Sequence, residues 1–205
     1  MGVRALVRTA AVSLDELTAR IETIGAVRST GRWQVHCSYM RQAELFVCQT
    51  ADMHFLVTHN QPKLPGTTAM SGDVDRSRMH VLRADNDAVA MLDQAQTHAQ
   101  RLKVKIDGSV HNCSDFVIRL GQLFHNSKLS GVAMDVEYLP CAAASRMIAP
   151  LAAIIDLLLP PAERDFSSLD VECFQGVHEA DLPEYFADEH AVLLLVGLVK
   201  TVYGI

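Results

Sequence analysis

Apolar and polar residues alternate along two neighbouring stretches, SDFVIRLGQLF at 114–124 and GVAMDVEYL at 131–139. In the first, Phe116, Ile118 and Leu120 share one face while Val117 and Arg119 share the other, the two-residue period of a strand with one buried face. The polar segment HNSKLSG between the stretches supplies turn residues, so the pair predicts an antiparallel hairpin. Further strand-like runs lie at 3–9, 33–39, 44–49, 53–59 and 102–107. Helical spacing takes over elsewhere. Ser13 and Glu16 form an S-x-x-E capping box, in which each side chain satisfies a first-turn N–H, and Leu14, Leu17, Ile21 and Ile24 then make one apolar stripe that Gly25 ends. Asp85 is placed to cap a second helix with Val89, Leu92 and Ala95 on its inner side. A third helix is expected over 142–159, stopped by Pro160 and Pro161, and a last one over 183–203. The connector QPKLPGTTAMSGD at 61–73 reads as a loop within a domain, because strand and helix patterns resume directly after it. Hairpins with helices interspersed predict an α+β fold with a largely antiparallel sheet.

Composition narrows the class. A chain of 205 residues suits one domain and can bury a substantial core. The net charge of −6 argues against a protein that grips nucleic acid unaided, which needs clustered Lys and Arg to displace phosphate counterions. The longest basic run, from Arg101 to Lys105, alternates and so reads as part of a strand. Five widely spaced cysteines, Cys37, Cys48, Cys113, Cys141 and Cys173, fit reduced buried thiols better than a disulfide framework. Arg4 and Arg8 interrupt any secretory h-region, and Leu6 stands where a myristoylation motif needs Ser or Thr. The window AAASRMIAPLAAIIDLLL carries Arg146, Pro150 and Asp156, and AVLLLVGLV is too short to cross a bilayer, so a soluble protein is expected.

Few residues assemble into a chemical pattern. Asp135 and Glu137, two apart on a strand, point to one face, as do Lys103 and Lys105 on another. Inside a barrel such groups could hold a divalent metal and a polyphosphate, as the E-x-E pair does in tunnel-type triphosphatases. One carboxylate pair is a small set for that chemistry, and the runs LFVC, HFLV and DFVIRL place apolar side chains where a charged lining should continue. A solvent-facing charge row on a half-buried sheet is therefore the preferred reading of Asp135 and Glu137. His54 and His59 would face opposite sides of a strand, Cys37, Cys48 and His36 have no zinc-ligand spacing, and His178-Glu179 has no second histidine three residues on. GTTAMSG lacks the G-K-S/T of a phosphate-cradling loop, and no serine sits in a G-x-S-x-G context. No catalytic residue, cofactor or metal follows from these patterns.

The hairpin residues carry a resemblance. D-F-V-I-R-L-G followed by G-V-A-M-D-V-E-Y-x-P-C-x-x-x-S resembles the corresponding segment of the Mediator complex subunit 20 family, also called TRF-proximal protein. Collinear matches are Met1-Gly2-Val3, Gly25-Ala26 with Gly31, Trp33, Val35 and Cys37, then His59-Asn60, Ala84-Asp85-Asn86 and Lys105-Ile106; beyond Pro160 the resemblance fades. It implies a single subunit 20-like domain over 1–205, built as an antiparallel β-barrel or strongly curved sheet decorated by helices. It also implies a nuclear, non-catalytic coactivator subunit of the Mediator head module that pairs with Mediator subunit 18. That pair would be tethered through the C-terminal helix of subunit 8 and would touch other head-module subunits and the RNA polymerase II machinery indirectly, with no direct contact to nucleic acid or membrane. The alternatives are a tunnel-type metal-dependent phosphohydrolase using Asp135 and Glu137, and an adaptor acting outside Mediator.

The C-terminal helix is the remaining candidate for binding. AVLLLVGLV is apolar nearly all round, so it needs cover on more than one side, either from its own domain or from a partner. Leu193, Leu194, Leu195, Val196, Gly197 and Leu198 are the candidate interface residues, with Gly197 allowing close approach of another backbone.

Overall fold

The computed structural model describes residues 2–41, 44–50, 53–58, 79–95, 101–143, 149–170 and 182–205. In chain order these form β1 (Val3–Thr9), α1 (Leu14–Thr23), β2 (Val27–Met40), β3 (Leu45–Thr50), β4 (Met53–Thr58), β5 (His80–Ala84), α2 (Asn86–Ala95), β6 (Arg101–Cys113), β7 (Phe116–His125) and β8 (Lys128–Tyr138). Then come α3 (Ala149–Leu158), a short 3-10 turn (Pro161–Glu163), β9 (Phe166–Ser167) and α4 (Asp188–Tyr203). The strands make one antiparallel sheet in the order β5-β4-β3-β2-β6-β7-β8-β1-β9. The fold is thus α+β. Among the described residues no ladder joins β5 to β9, so the sheet is open at both ends.

It is nevertheless strongly curved. Helix α4 packs on β1 and also on β2 and β3. Arg4 and Leu6 of β1 and Met53 of β4 line one cavity of about 270 Å³ beside α4, yet six inter-strand steps part those two strands, about 29 Å in a flat sheet. The sheet must curl around α4. Curling is helped where β6 meets β7: a Cβ on Gly108 would fall 1.8 Å from the backbone oxygen of Leu120, a closeness only glycine allows.

Alternation sorts the strands into two faces. Arg4 and Leu6 of β1, Asp135 and Glu137 of β8, Arg119 of β7, Ile106 of β6, Val35 of β2, Cys48 of β3 and Phe55 of β4 share the concave face toward α4. On the convex side Ala5, Val7, Ile118, Leu120, Met134 and Val136 are buried where α1 packs on β7 and α3 on β8. Further along that side a small cluster of Met40, Leu45 and Val47 is covered by Leu56 and by Leu92 of α2. The main core runs unbroken from Val3 to Val199.

Several expected elements differ in detail. Ser13 Oγ accepts from Glu16 N at 3.2 Å, as a capping box requires, but Glu16 turns its carboxylate to Arg20 Nη2 at 2.7 Å, so only half of the box forms. Leu17 and Ile21 are buried, and the chain leaves the helix through Gly25 at φ 85°. Strand β2 starts earlier than expected, carrying a bulge between Arg28 and Arg32, and β6 runs on to Cys113. Strands β5 and β9 are additional, each too short to show a period of its own. Helix α3 is described over Ala149–Leu158, and Ala142 and Ala143, expected within it, are not helical; residues 144–148 lie outside the described residues. Helix α4 begins at Asp188, because Tyr185 pairs with Ala143 in an isolated bridge and His190 Nδ1 accepts from Ala187 N at 3.1 Å to cap the first turn. The loop at 61–73, His59, Cys173 and His178-Glu179 lie outside the described residues, as do the side chains of Val89 and Ala95.

Candidate functional site

The concave face holds the only part of the described core where charges gather, and strand register explains why. Arg119 lies opposite Asp135 across β7 and β8, and Arg4 lies opposite Glu137 across β1 and β8, which brings two guanidinium groups against two carboxylates. Arg4 grips Asp135 with two donors: Nε reaches Oδ1 at 3.1 Å and Nη2 takes Oδ2. Arg119 Nη2 donates to Glu137 Oε2 at 2.6 Å and its Nη1 sits 3.7 Å from Asp135 Oδ1. Gly2 N completes the set by donating to Glu137 Oε1 at 2.7 Å. A Cβ at residue 2 would come within 2.1 Å of the Tyr138 carbonyl oxygen, so the glycine of the Met1-Gly2-Val3 motif is what lets this amide reach the carboxylate.

Asp135 and Glu137 are 3% and 4% exposed, so they do not form the solvent-facing row expected from sequence. They point inward because the arginines that neutralise them sit on the flanking strands of the same face. Burial opposes the charge on Arg4, but the attraction and hydrogen bonds of Asp135 outweigh it and raise the arginine pKa. All four carboxylate oxygens already accept a hydrogen bond. A metal ion would have to displace arginines to reach them. Among the described residues no three His, Cys, Asp or Glu side chains come together in a way that could hold a metal ion.

Beside the network, between the sheet and the first turns of α4, lies a cavity of about 270 Å³ lined in part by Trp33, Val35, Met53, Leu194 and Leu195. Leu193, Leu194, Leu195, Val196 and Leu198 are all buried by this chain itself, and Gly197 is half-buried. The apolar surface of α4 is therefore used inside the curved sheet, and of the six candidate interface residues Gly197 alone keeps appreciable exposure. Arg83 of β5 ties the start of the helix down: its Nε donates to Glu189 Oε1 at 2.6 Å while its guanidinium carbon lies 5.9 Å from the Phe55 ring centre. Burial pushes the Glu189 pKa up, but hydrogen bonding from Arg83 prevails and holds it low.

Other sequence candidates stay apart. Cys37 and Cys48 face each other across β2 and β3 with Sγ atoms 2.6 Å apart, both buried; their mutual hydrogen bond and burial raise the Cys48 pKa, which disfavours the nucleophilic thiolate. His36 and His54 lie on the convex face, away from both thiols. Lys103 and Lys105 share that face, where Lys105 Nζ is 3.3 Å from Asp107 Oδ2. Sequence reasoning missed Arg4 and Arg119, whose signal was the pairing of a basic residue on each of two strands with an acidic one on a third.

Residues 1–179 match the family described as TATA-binding related factor (TRF) of subunit 20 of Mediator complex. The chain belongs to the Mediator subunit 20 family. The match takes in β1 through β9, and α4 lies beyond it. A curated relative is Mediator of RNA polymerase II transcription subunit 20b of Arabidopsis thaliana, 26% identical over 132 residues, which are 63% of this chain and 59% of that protein. The chain thus spans less than two thirds of the curated relative it matches. Similar solved structures include the PH1012 protein of Pyrococcus horikoshii OT3, with a TM-score of 0.40 and 13% identity over 91% of this chain and 96% of that one. The Schizosaccharomyces pombe Mediator head module contains another, with a TM-score of 0.40 and 12% identity over 76% of this chain and 94% of that one. Likenesses that distant have no bearing on function.

Proposed function

We propose that this protein is a non-catalytic, nuclear subunit of the Mediator head module that pairs with Mediator subunit 18 and supports RNA polymerase II transcription as part of the coactivator. The observation carrying this reading is the family match over residues 1–179. In this reading the curved sheet is an incomplete barrel that serves as a docking body, and the pair is held to the rest of the head through the C-terminal helix of subunit 8. Its output is a binding free energy, with no transition state to stabilise. The saturated carboxylates of Asp135 and Glu137 support the non-catalytic reading over a metal-dependent phosphohydrolase, since each would need its arginine or amide partner removed before it could ligate a cation. Affinity capture of the tagged full chain from nuclear extract, followed by mass spectrometry of the eluate, tests the reading. Recovery of subunit 18 with other head-module subunits is expected, and an eluate devoid of Mediator subunits would refute it.

A further inference from the structure

The convex face beyond α1 and α3 carries a groove of about 640 Å³ over β4, β3, β2, β6 and β7. Strand register aligns its side chains in rows. His54, Gln49, His36, Lys105 and Phe124 follow one another across the five strands, each directly opposite the next. A parallel row two residues along the strands places Val47, Ser38 and Lys103 side by side. His36, Gln49 and Lys103 are exposed, so the strip is open to solvent.

The chemistry of the groove is one-sided. Among its described lining residues there are two lysines and no carboxylate, although the whole chain is acidic, with a net charge of −6. Lys105 has Asp107 beside it, but that carboxylate is shared with Arg32, whose Nε and Nη2 donate to it at 3.0 and 2.9 Å. Lys103 has no ion pair among the described residues, and its backbone N–H and C=O are fixed by Asn126 Oδ1 at 3.0 Å and by Tyr203 Oη at 3.0 Å. The positive groups thus stand on a rigid sheet with an apolar floor at Val47 and Phe124.

We infer that this groove docks an acidic segment of a partner protein, with carboxylates on Lys103 and Lys105 and an apolar side chain on Phe124 and Val47. Four inter-strand steps span about 19 Å, room for roughly six extended residues. Charge complementarity favours a peptide over nucleic acid: two lysines beside a carboxylate neutralise few phosphates, and an apolar floor suits alternate side chains of an extended peptide. The inference goes beyond the pairing with subunit 18 and does not rest on it.

Fluorescence anisotropy on the purified full chain tests this with three labelled probes. They are a short peptide of alternating glutamate and phenylalanine, the same peptide with glutamine for glutamate, and a single-stranded oligonucleotide of similar length. The glutamate peptide should bind, with affinity falling as salt rises, and the glutamine peptide should bind about tenfold more weakly or worse. Lys103→Glu should weaken the glutamate peptide by about tenfold or more at an unchanged melting temperature. Arg28→Glu, an equal change of charge at an exposed site outside the groove, should leave binding unaltered. Equal binding by Lys103→Glu and the unmodified chain, no preference for glutamate over glutamine, or tighter binding of the oligonucleotide than of the peptide would overturn the inference.

Discussion

Shortening one leucine in α4 tests whether that helix really fills the curved sheet. Leu193 is fully buried, and it is not among the residues lining the 270 Å³ cavity, whereas Leu194 and Leu195 are. Leu193→Ala therefore opens a new void in packed surroundings, which places it in the upper part of the range for buried leucine, about 3–5 kcal/mol. Leu195→Ala enlarges space that already exists, so neighbours and water adjust more easily and a loss of about 2–3 kcal/mol is expected. For a chain of this size each kcal/mol lowers the melting temperature by about 2–4 °C, so Leu193→Ala should melt roughly 6–20 °C below the parent. Urea unfolding followed by far-ultraviolet circular dichroism gives the free energies directly, and Lys105→Ala, on the exposed convex face, serves as a control that should leave the midpoint unchanged. A Leu193→Ala loss under about 1 kcal/mol, or a larger loss at Leu195 than at Leu193, would show that α4 is not packed as described.

Three further outcomes are expected. Asp135→Ala should destabilise the fold by about 3–5 kcal/mol by stranding Arg4, and the double change with Arg4→Met should cost clearly less than the sum of the single ones; additive losses in urea melts would deny the coupling. Burial lowers the pKa of His190 and His111, and partial desolvation beside the charge of Lys105 lowers that of His36, below the ordinary 6.5, so below 6.5 the unfolded chain binds protons that the folded one refuses. Stability should then fall as pH drops from 7.5 toward 5.5, and His190→Gln should flatten the slope; Asp107 and Glu189, also held low, begin to matter only near their unfolded values of 3.8 and 4.5, and a flat profile by calorimetry would contradict the burial argument. The purified protein should release no phosphate from nucleoside or inorganic triphosphate with magnesium or manganese, and turnover that Asp135→Asn abolishes would overturn the non-catalytic reading.

Strand periodicity made the centre of the fold legible. Strands β1, β3, β4, β7 and β8 could be read from their alternating or short continuous apolar runs, and α1 from its cap and its stripe at Leu17 and Ile21. What stayed hidden depends on contacts distant in sequence. Nothing local separates five residues of β5 or two of β9 from loop, since only the neighbouring strand supplies their hydrogen bonds. Pro183 suggested a helix start, but the bridge of Tyr185 to Ala143 holds that stretch extended until Asp188. Asp135 and Glu137 looked like surface charges because polar residues on alternate positions of a strand usually face water. Their burial became intelligible only when register set Arg119 and Arg4 opposite them. The all-apolar character of α4 required cover on several sides, and only the curvature of the sheet shows that this chain provides it.

Reconstitution with Mediator subunit 18 tests the central claim most directly. The full chain and its cognate subunit 18, co-expressed with a tag on one of them, should elute together as a single species, and light scattering should give the mass of a one-to-one complex. A well-behaved monomer of this chain that shows no association with subunit 18 would contradict the account.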